Sequence, residues 1–163
     1  AASTTQNGIH MITVVLGVEA VDGDPYARFV ATSSLMNYVV RTFVSSIVVK
    51  EGDPYGKSKA TVMDGKSETV LAVAKKDFYI VEKQGSQAEP KIQFKSNQES
   101  FRAPVKSGTS LGKLHYTDPD KIGRGYLEDQ EPTVDMVAGR TIEKSFFLKV
   151  WWNEFVRYVN EKL

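Results

Sequence analysis

The chain contains no cysteine. That excludes disulfides, thiolate metal sites and thiol nucleophiles together. Histidine is scarce, with only His10 and His115. They lie far apart, each in a strand-like run, so no metal centre is expected. Long apolar runs are missing as well. The longest are short, as at residues 11–16, and none approaches the ~20 residues that span a bilayer as a helix. Neither charge sign prevails: 21 basic against 20 acidic residues leave a net charge of +1. With no Lys/Arg run to track a phosphate backbone, nucleic acid is not an expected partner. Residues 1–8 have neither a basic end nor an apolar core, so no signal peptide is expected there.

What is present describes folded protein. A hydrophobic share of 41% and a charged share of 25% are ordinary for a globular chain, and 163 residues suffice for one domain or two small ones. The most informative stretch is the last twenty residues. Stepping 100° per residue places Phe147, Leu148, Trp151, Trp152, Phe155, Val156, Tyr158, Val159 and Leu163 on one half of a helical cylinder. Lys149, Glu154, Arg157 and Glu161 fall on the other half, while Phe146 and Val150 break the division. Both tryptophans of the chain are here, and Lys144, Lys149, Arg157 and Lys162 outnumber Glu154 and Glu161. Aromatic rings favour the headgroup level of a bilayer and a basic face is drawn to anionic lipid. The pattern therefore points to a helix lying against a membrane surface. A terminal helix packed on its own domain would carry the same pattern, so both readings stand.

Upstream, Asn7-Gly8 reads as a tight hairpin turn between residues 1–5 and a strand over residues 10–17. The near-continuous apolarity of that strand suggests cover on both faces. Asp24 and Pro25 mark a helix start, with a capping carboxylate and a proline at the first helical position. The helix is expected over residues 26–43, presenting Phe29, Val30, Met36, Val39, Val40 and Phe43. From residue 45 the pattern changes to short β-rich runs, at residues 46–50, 60–63, 69–74, 78–82, 91–94, 113–117 and 133–137. Gly, Pro and Asp punctuate them, as in a small antiparallel sandwich or barrel. A lone hairpin and helix cannot bury their apolar faces. They read as the end of a larger α/β domain.

These segments, in this order, resemble the C-terminal portion of the low-molecular-mass penicillin-binding proteins, the serine D-alanyl-D-alanine carboxypeptidases. The resemblance rests first on Gln6-Asn-Gly-Ile-His-Met-Ile-Thr-Val-Val-Leu-Gly, Tyr26-Ala-Arg-Phe and Ser34-Leu-Met-Asn-Tyr. It continues through Val48-Val-Lys-Glu-Gly-Asp, Asp64-Gly-Lys, Val73-Ala-Lys-Lys-Asp-Phe-Tyr and Ala103-Pro-Val-Lys-Ser-Gly-Thr-Ser-Leu-Gly-Lys-Leu. It ends at Phe146-Phe-Leu-Lys-Val-Trp-Trp-Asn-Glu-Phe. The fold it implies is mainly β. A small antiparallel β-sandwich domain spans residues 46–140, with a C-terminal amphipathic, membrane-associating helix over residues 141–163. The terminal hairpin and helix of an α/β penicillin-binding domain precede them, over residues 1–45.

By the resemblance, the intact enzyme removes the terminal D-Ala of peptidoglycan stem pentapeptides through an acyl-enzyme, is trapped by β-lactams and needs no cofactor. It would sit peripherally on the outer face of the cell membrane. The family's chemistry needs a Ser-x-x-Lys nucleophile, a Ser-x-Asn and a Lys-Thr-Gly strand. All three are expected upstream of Ala1, so this chain alone is expected to be inactive, its catalytic part absent or supplied as a separate chain. The resemblance also implies that Arg28 lies near the cleft, where its guanidinium fork suits a peptide carboxylate. A surface arginine in the helix's first turn is the plainer reading.

Two matches within the chain mimic catalytic motifs. Lys106-Ser107-Gly108 resembles the Lys-Thr-Gly strand, and Ser110-Leu-Gly-Lys113 satisfies Ser-x-x-Lys. A working site gathers these from distant parts of the chain; here they are adjacent and in reversed order, as in a surface turn. Residues 118–129 nearly fit a calcium loop, but Ile122 and Asp129 stand where an oxygen ligand and a bidentate Glu belong. Two other functions remain in view: a non-catalytic β-sandwich binding module at the cell surface, and a self-contained hydrolase built on Ser110 and Lys113.

Overall fold

A computed structural model describes residues 1–18, 25–86, 89–118, 121–123, 125–126, 130–146, 151–152, 155–156 and 158–159. The chain divides into two compact units. One comprises Ala1–Ile47, Tyr79–Glu89 and Asp120–Gly125; the other comprises Val48–Phe78, Pro90–Pro119 and Tyr126–Leu163.

In the first unit, strands β1 (Ala2–Gln6) and β2 (Ile9–Thr13) form an antiparallel hairpin with Gln6 opposite Ile9. The two-residue connection puts Asn7 at φ 53° and Gly8 at φ 75°. Both angles are left-handed, as the twist-matched hairpin turn requires, which is why Asn-Gly stands there. Ile9 and Met11 are buried, whereas Ile12 is 69% exposed. Strand β2 stops at Thr13, four residues before the expected end, and its outward face is open where cover on both faces was expected. The physical reason is the small number of elements in this unit, the hairpin, one helix and one further strand pair, which leave the face carrying Ile12 open.

Helix α1 (Ala27–Thr42) lies against β2. Tyr26 is its N-cap, with no side-chain cap hydrogen bond. Pro25 therefore precedes the helix in a turn instead of occupying its first position. The proposed cap Asp24 lies outside the described residues. No residue of α1 is fully buried. Its sheltered side is the half-buried set Met36, Val39 and Val40, while Phe29 and Val30 face outward. The chain passes directly into β3 (Phe43–Val49), three residues before the expected start. No Gly or Pro stands there to separate the two, and β-branched residues continue the extended run. Strand β3 pairs with β6 (Phe78–Lys83), and the Ser46 hydroxyl donates to Glu82 Oε1 at 2.6 Å.

The second unit is built on a six-stranded sheet of β4 (Pro54–Met63), β5 (Thr69–Ala74), β7 (Lys91–Ser96), β8 (Phe101–Arg102), β9 (Ser110–Thr117) and β10 (Thr133–Ala138). The strand order is β7-β9-β10-β5-β4-β8, antiparallel except for the parallel β4–β8 pair. Alternation places Val70 and Ala72 of β5, Leu114 and Tyr116 of β9, and Val134 and Met136 of β10 in the core, each at most 2% exposed. Full burial of one such large side chain contributes roughly 1.5–3 kcal/mol as an upper estimate. In the ladder, Gly112 faces Met136 and Ser110 faces Val137, which leaves Leu111 as the extra residue of a bulge. Gly112 permits the close approach of β7, since a Cβ there would meet the Lys95 carbonyl oxygen and the Ser96 Cα. The mainly β, antiparallel class expected from the sequence is the class of the folded chain.

Candidate functional site

The described part of the tail is helical at Trp151, Trp152, Phe155, Val156, Tyr158 and Val159. Trp151 and Trp152 are 59% and 58% exposed. Phe155 stands beside both, its ring centroid 6.0 Å from each indole, nearly parallel to Trp151 at 16° and tilted 35° from Trp152. Tyr158 is exposed and Val159 is partly sheltered. Of the predicted residues, Trp151, Trp152 and Phe155 are thus brought together as a cluster of exposed rings, Phe155 lying about one helical turn beyond the two indoles. Phe147 and Leu148 lie outside the described residues. No described helix is long and apolar enough to cross a membrane.

The root of the tail is tied to the sheet. Val105 and Ile142 exchange backbone hydrogen bonds of 3.0 and 2.8 Å. The Lys66 amide donates to the Glu143 carbonyl at 2.9 Å and the Ser145 amide donates to the Asp64 carbonyl at 2.8 Å. Asp64 sits at φ 59° with a buried carboxylate, to which Arg102 Nε donates at 3.1 Å. A sequence reading finds the Asp64-Gly-Lys turn but not Arg102, which is 38 positions away.

Arg28 is exposed in the first turn of α1, its guanidinium carbon 5.0 Å from the centroid of the Phe29 ring. That is cation–π distance. Its carbonyl accepts from the Thr32 hydroxyl at 2.8 Å. The motif mimics are surface features. Ser107 donates from its hydroxyl to the Ala138 carbonyl at 3.3 Å, and Gly108 turns at φ 82°. Ser110 accepts from Asn97 Nδ2 at 3.2 Å, and the exposed Lys113 faces Asp135 on β10 and Lys95 on β7. In the 118–129 segment, Tyr126 donates to Asp118 Oδ2 at 3.3 Å. Burial, chiefly, and the Asp118 charge push the Tyr126 pKa up. Among the described residues, no group of three or more His, Asp or Glu side chains could hold a metal.

Residues 43–144, which contain the whole six-stranded sheet and the segment leading to the tail, match the family described as "Penicillin-binding protein 5, C-terminal domain". The chain belongs to that family. It is 27% identical over 116 residues to the D-alanyl-D-alanine carboxypeptidase DacA of Haemophilus influenzae, covering 71% of this chain and 28% of that protein. Among solved structures it is similar to the Streptococcus pneumoniae peptidoglycan synthesis regulatory factor (PBP3). There the TM-score is 0.78 and the identity 44%, over 86% of this chain and 38% of that one. Penicillin-binding protein 5 of H. influenzae shares the fold at 19% identity, with a TM-score of 0.57 over 72% of this chain and 31% of that one. The chain thus spans well under half the length of these relatives. The family is that of the D-alanyl-D-alanine carboxypeptidase penicillin-binding proteins, and the match is to their C-terminal portion.

Proposed function

We propose that this chain is the C-terminal part of a serine D-Ala-D-Ala carboxypeptidase of peptidoglycan remodelling. In this reading residues 1–45 close the peptidase domain, residues 46–140 form the β-rich domain, and residues 141–163 hold the enzyme peripherally on the outer face of the cell membrane. The intact enzyme would attack the stem pentapeptide with an activated serine, form an acyl-enzyme and release D-alanine, and β-lactams would arrest it at that stage. Arg28 would help to receive the peptide carboxylate. The outward aromatic cluster of Trp151, Trp152 and Phe155 supports the membrane role most directly. The open faces of β2 and α1 support the idea that more of an α/β domain belongs against them, in the same chain or as a separate catalytic fragment.

The membrane role is tested by liposome flotation. Replacing both Trp151 and Trp152 with Ser should lower binding to anionic vesicles about tenfold or more, given the apolar area withdrawn from lipid. Unchanged flotation would remove the anchor from the proposal. Catalytic incompleteness is tested with fluorescent penicillin: the 163-residue chain should not label, whereas a co-purifying chain bearing the serine should. Labelling of this chain itself would overturn the assignment and favour Ser110. A non-catalytic binding module is the second reading, since the β-rich domain needs no nucleophile; it accounts poorly for the hairpin and helix.

A further inference from the structure

Where the tail leaves the sheet, the surface is hollowed. Lys66, Ser67, Arg140, Thr141, Ile142 and Glu143 line a recess of about 290 Å³. It lies within one compact unit, between the β4–β5 turn and the segment that follows β10. Backbone bonds fix its walls: the Lys66 amide donates to the Glu143 carbonyl at 2.9 Å, and Ile142 and Val105 bond to each other in both directions. Ile142, only 4% exposed, anchors this wall in the core.

The polar groups of the recess are largely unspent. Among the described residues, neither Arg140 nor Lys66 is ion-paired, not even with Glu143, the one carboxylate lining it. Thr141 Oγ1 accepts from the Ser107 amide at 3.0 Å, and its own hydrogen meets no acceptor among the described residues. Ser67 differs, since its hydroxyl already donates to the Thr69 carbonyl at 2.9 Å. A guanidinium fork, an ammonium and one hydroxyl donor suit the free oxygens of a phosphate. Two cations and Glu143 leave a net charge of +1. That matches the single negative charge of a phosphodiester.

Two further observations indicate the source of such a group. Ser145, tied to Asp64, stands six residues before Trp151. At most about 21 Å of extended chain therefore separates the root from the exposed rings. The basic excess of the chain is also gathered here. Residues 140–163 hold five Lys or Arg against three Glu, whereas the whole chain holds 21 basic and 20 acidic residues. Basic groups beside a membrane-bound segment are drawn to anionic lipid.

We propose that this recess takes the phosphate of an anionic phospholipid headgroup, so that the sheet domain itself grips the leaflet on which the tail lies. The inference rests on the membrane role proposed above and adds a second, charge-selective contact to it. Arg140 receives two phosphate oxygens on its fork, Lys66 supplies the second charge and Thr141 donates a hydrogen bond. The tail rings contribute apolar adhesion, which is indifferent to headgroup charge.

The experiment compares flotation of the 163-residue chain on phosphatidylcholine vesicles and on vesicles of phosphatidylcholine with phosphatidylglycerol. Each Lys or Arg near an anionic surface strengthens binding roughly fivefold. Arg140→Gln with Lys66→Gln should therefore weaken binding to the mixed vesicles at least tenfold and leave binding to the neutral ones within twofold. Lys50→Gln with Lys76→Gln removes equal charge from exposed positions at the far end of β5, where Gly52 bonds to Ala74. This control should cost less than twofold, because the surface field fades within a Debye length of about 8 Å. Arg140→Lys keeps the charge and removes the fork; it should cost at least threefold on mixed vesicles. Trp151→Ser with Trp152→Ser should weaken binding to both kinds of vesicle. A wild-type chain that floats with neither would sink the membrane role, and this inference with it. A chain that floats through its tryptophans, yet loses no more with the Arg140 and Lys66 pair than with the control, would overturn the recess alone. Unchanged binding of Arg140→Lys would do the same by reducing the recess to diffuse charge. Tight binding of inorganic phosphate without vesicles would make it a free-anion site, against the proposal.

Discussion

The helix α1 and the sheet around β9 are both rich in apolar residues, yet they use them in opposite ways. In β9, Leu111 and Leu114 are completely shielded; in α1, no residue is, and Leu35 remains 47% exposed. The sheet buries its inward side chains because alternation, register and six mutually paired strands supply cover for each of them. The helix shares its unit with only two two-stranded sheets, the β1–β2 hairpin and the β3–β6 pair. Apolarity in a sequence therefore records how much cover a segment is built for. The difference between that and the cover it has marks where further structure belongs.

The sharpest way to break this comparison is to truncate one leucine in each region. Leu114→Ala should cost about 2–5 kcal/mol by denaturant unfolding, because it removes a side chain from a closed core. Leu35→Ala should change stability by about 0.5 kcal/mol or less, as befits an exposed position. Comparable losses at the two sites would show that α1 is covered in solution. A smaller effect belongs to Gly112→Ala, at about 1–3 kcal/mol. Its new methyl would press on the Lys95 carbonyl, so hydrogen exchange should accelerate along β7 before it does along β10. In the tail, Trp151→Ser with Trp152→Ser should alter the unfolding midpoint hardly at all while lowering vesicle binding; a clear drop in stability would mean that the rings pack on protein.

The smallest expected effect is a pH dependence. His115 has its pKa lowered in the folded chain by burial and by Lys95 and Lys113. Between the unfolded value of about 6.5 and the lower folded one, the unfolded chain binds more protons. The stabilisation is thus fully present above that window and is lost as pH falls through it. His115→Gln should flatten this part of the stability profile, and an unchanged slope would assign it to other groups.

Much of the fold was legible because each strand carries its own signal. The run at residues 69–74 coincides with β5, and Asn7-Gly8 fixes the first hairpin through its left-handed dihedrals. What escaped was set by tertiary context. Strand β8 has two residues and no period to read, and it exists by lying parallel to Val62 and Met63. The early start of β9 was hidden by Gly112, which weakens a strand signal locally but serves the approach of β7. At the tail the ring cluster followed from helical spacing alone. The Asp64–Arg102 pair did not, because partners 38 residues apart meet only through strand pairing.

Those backbone ties at residues 142–145 have a mechanical consequence. The Ile142–Val105 bonds graft the base of the tail onto the segment between β8 and β9, and the Ser145–Asp64 and Lys66–Glu143 bonds graft it onto the turn between β4 and β5. Tension applied at the C-terminal end would therefore enter the sheet at Gly65 and Lys66 and spread into β5. The sheet domain would act as a stiff mooring post for the segment that ends at Ser145.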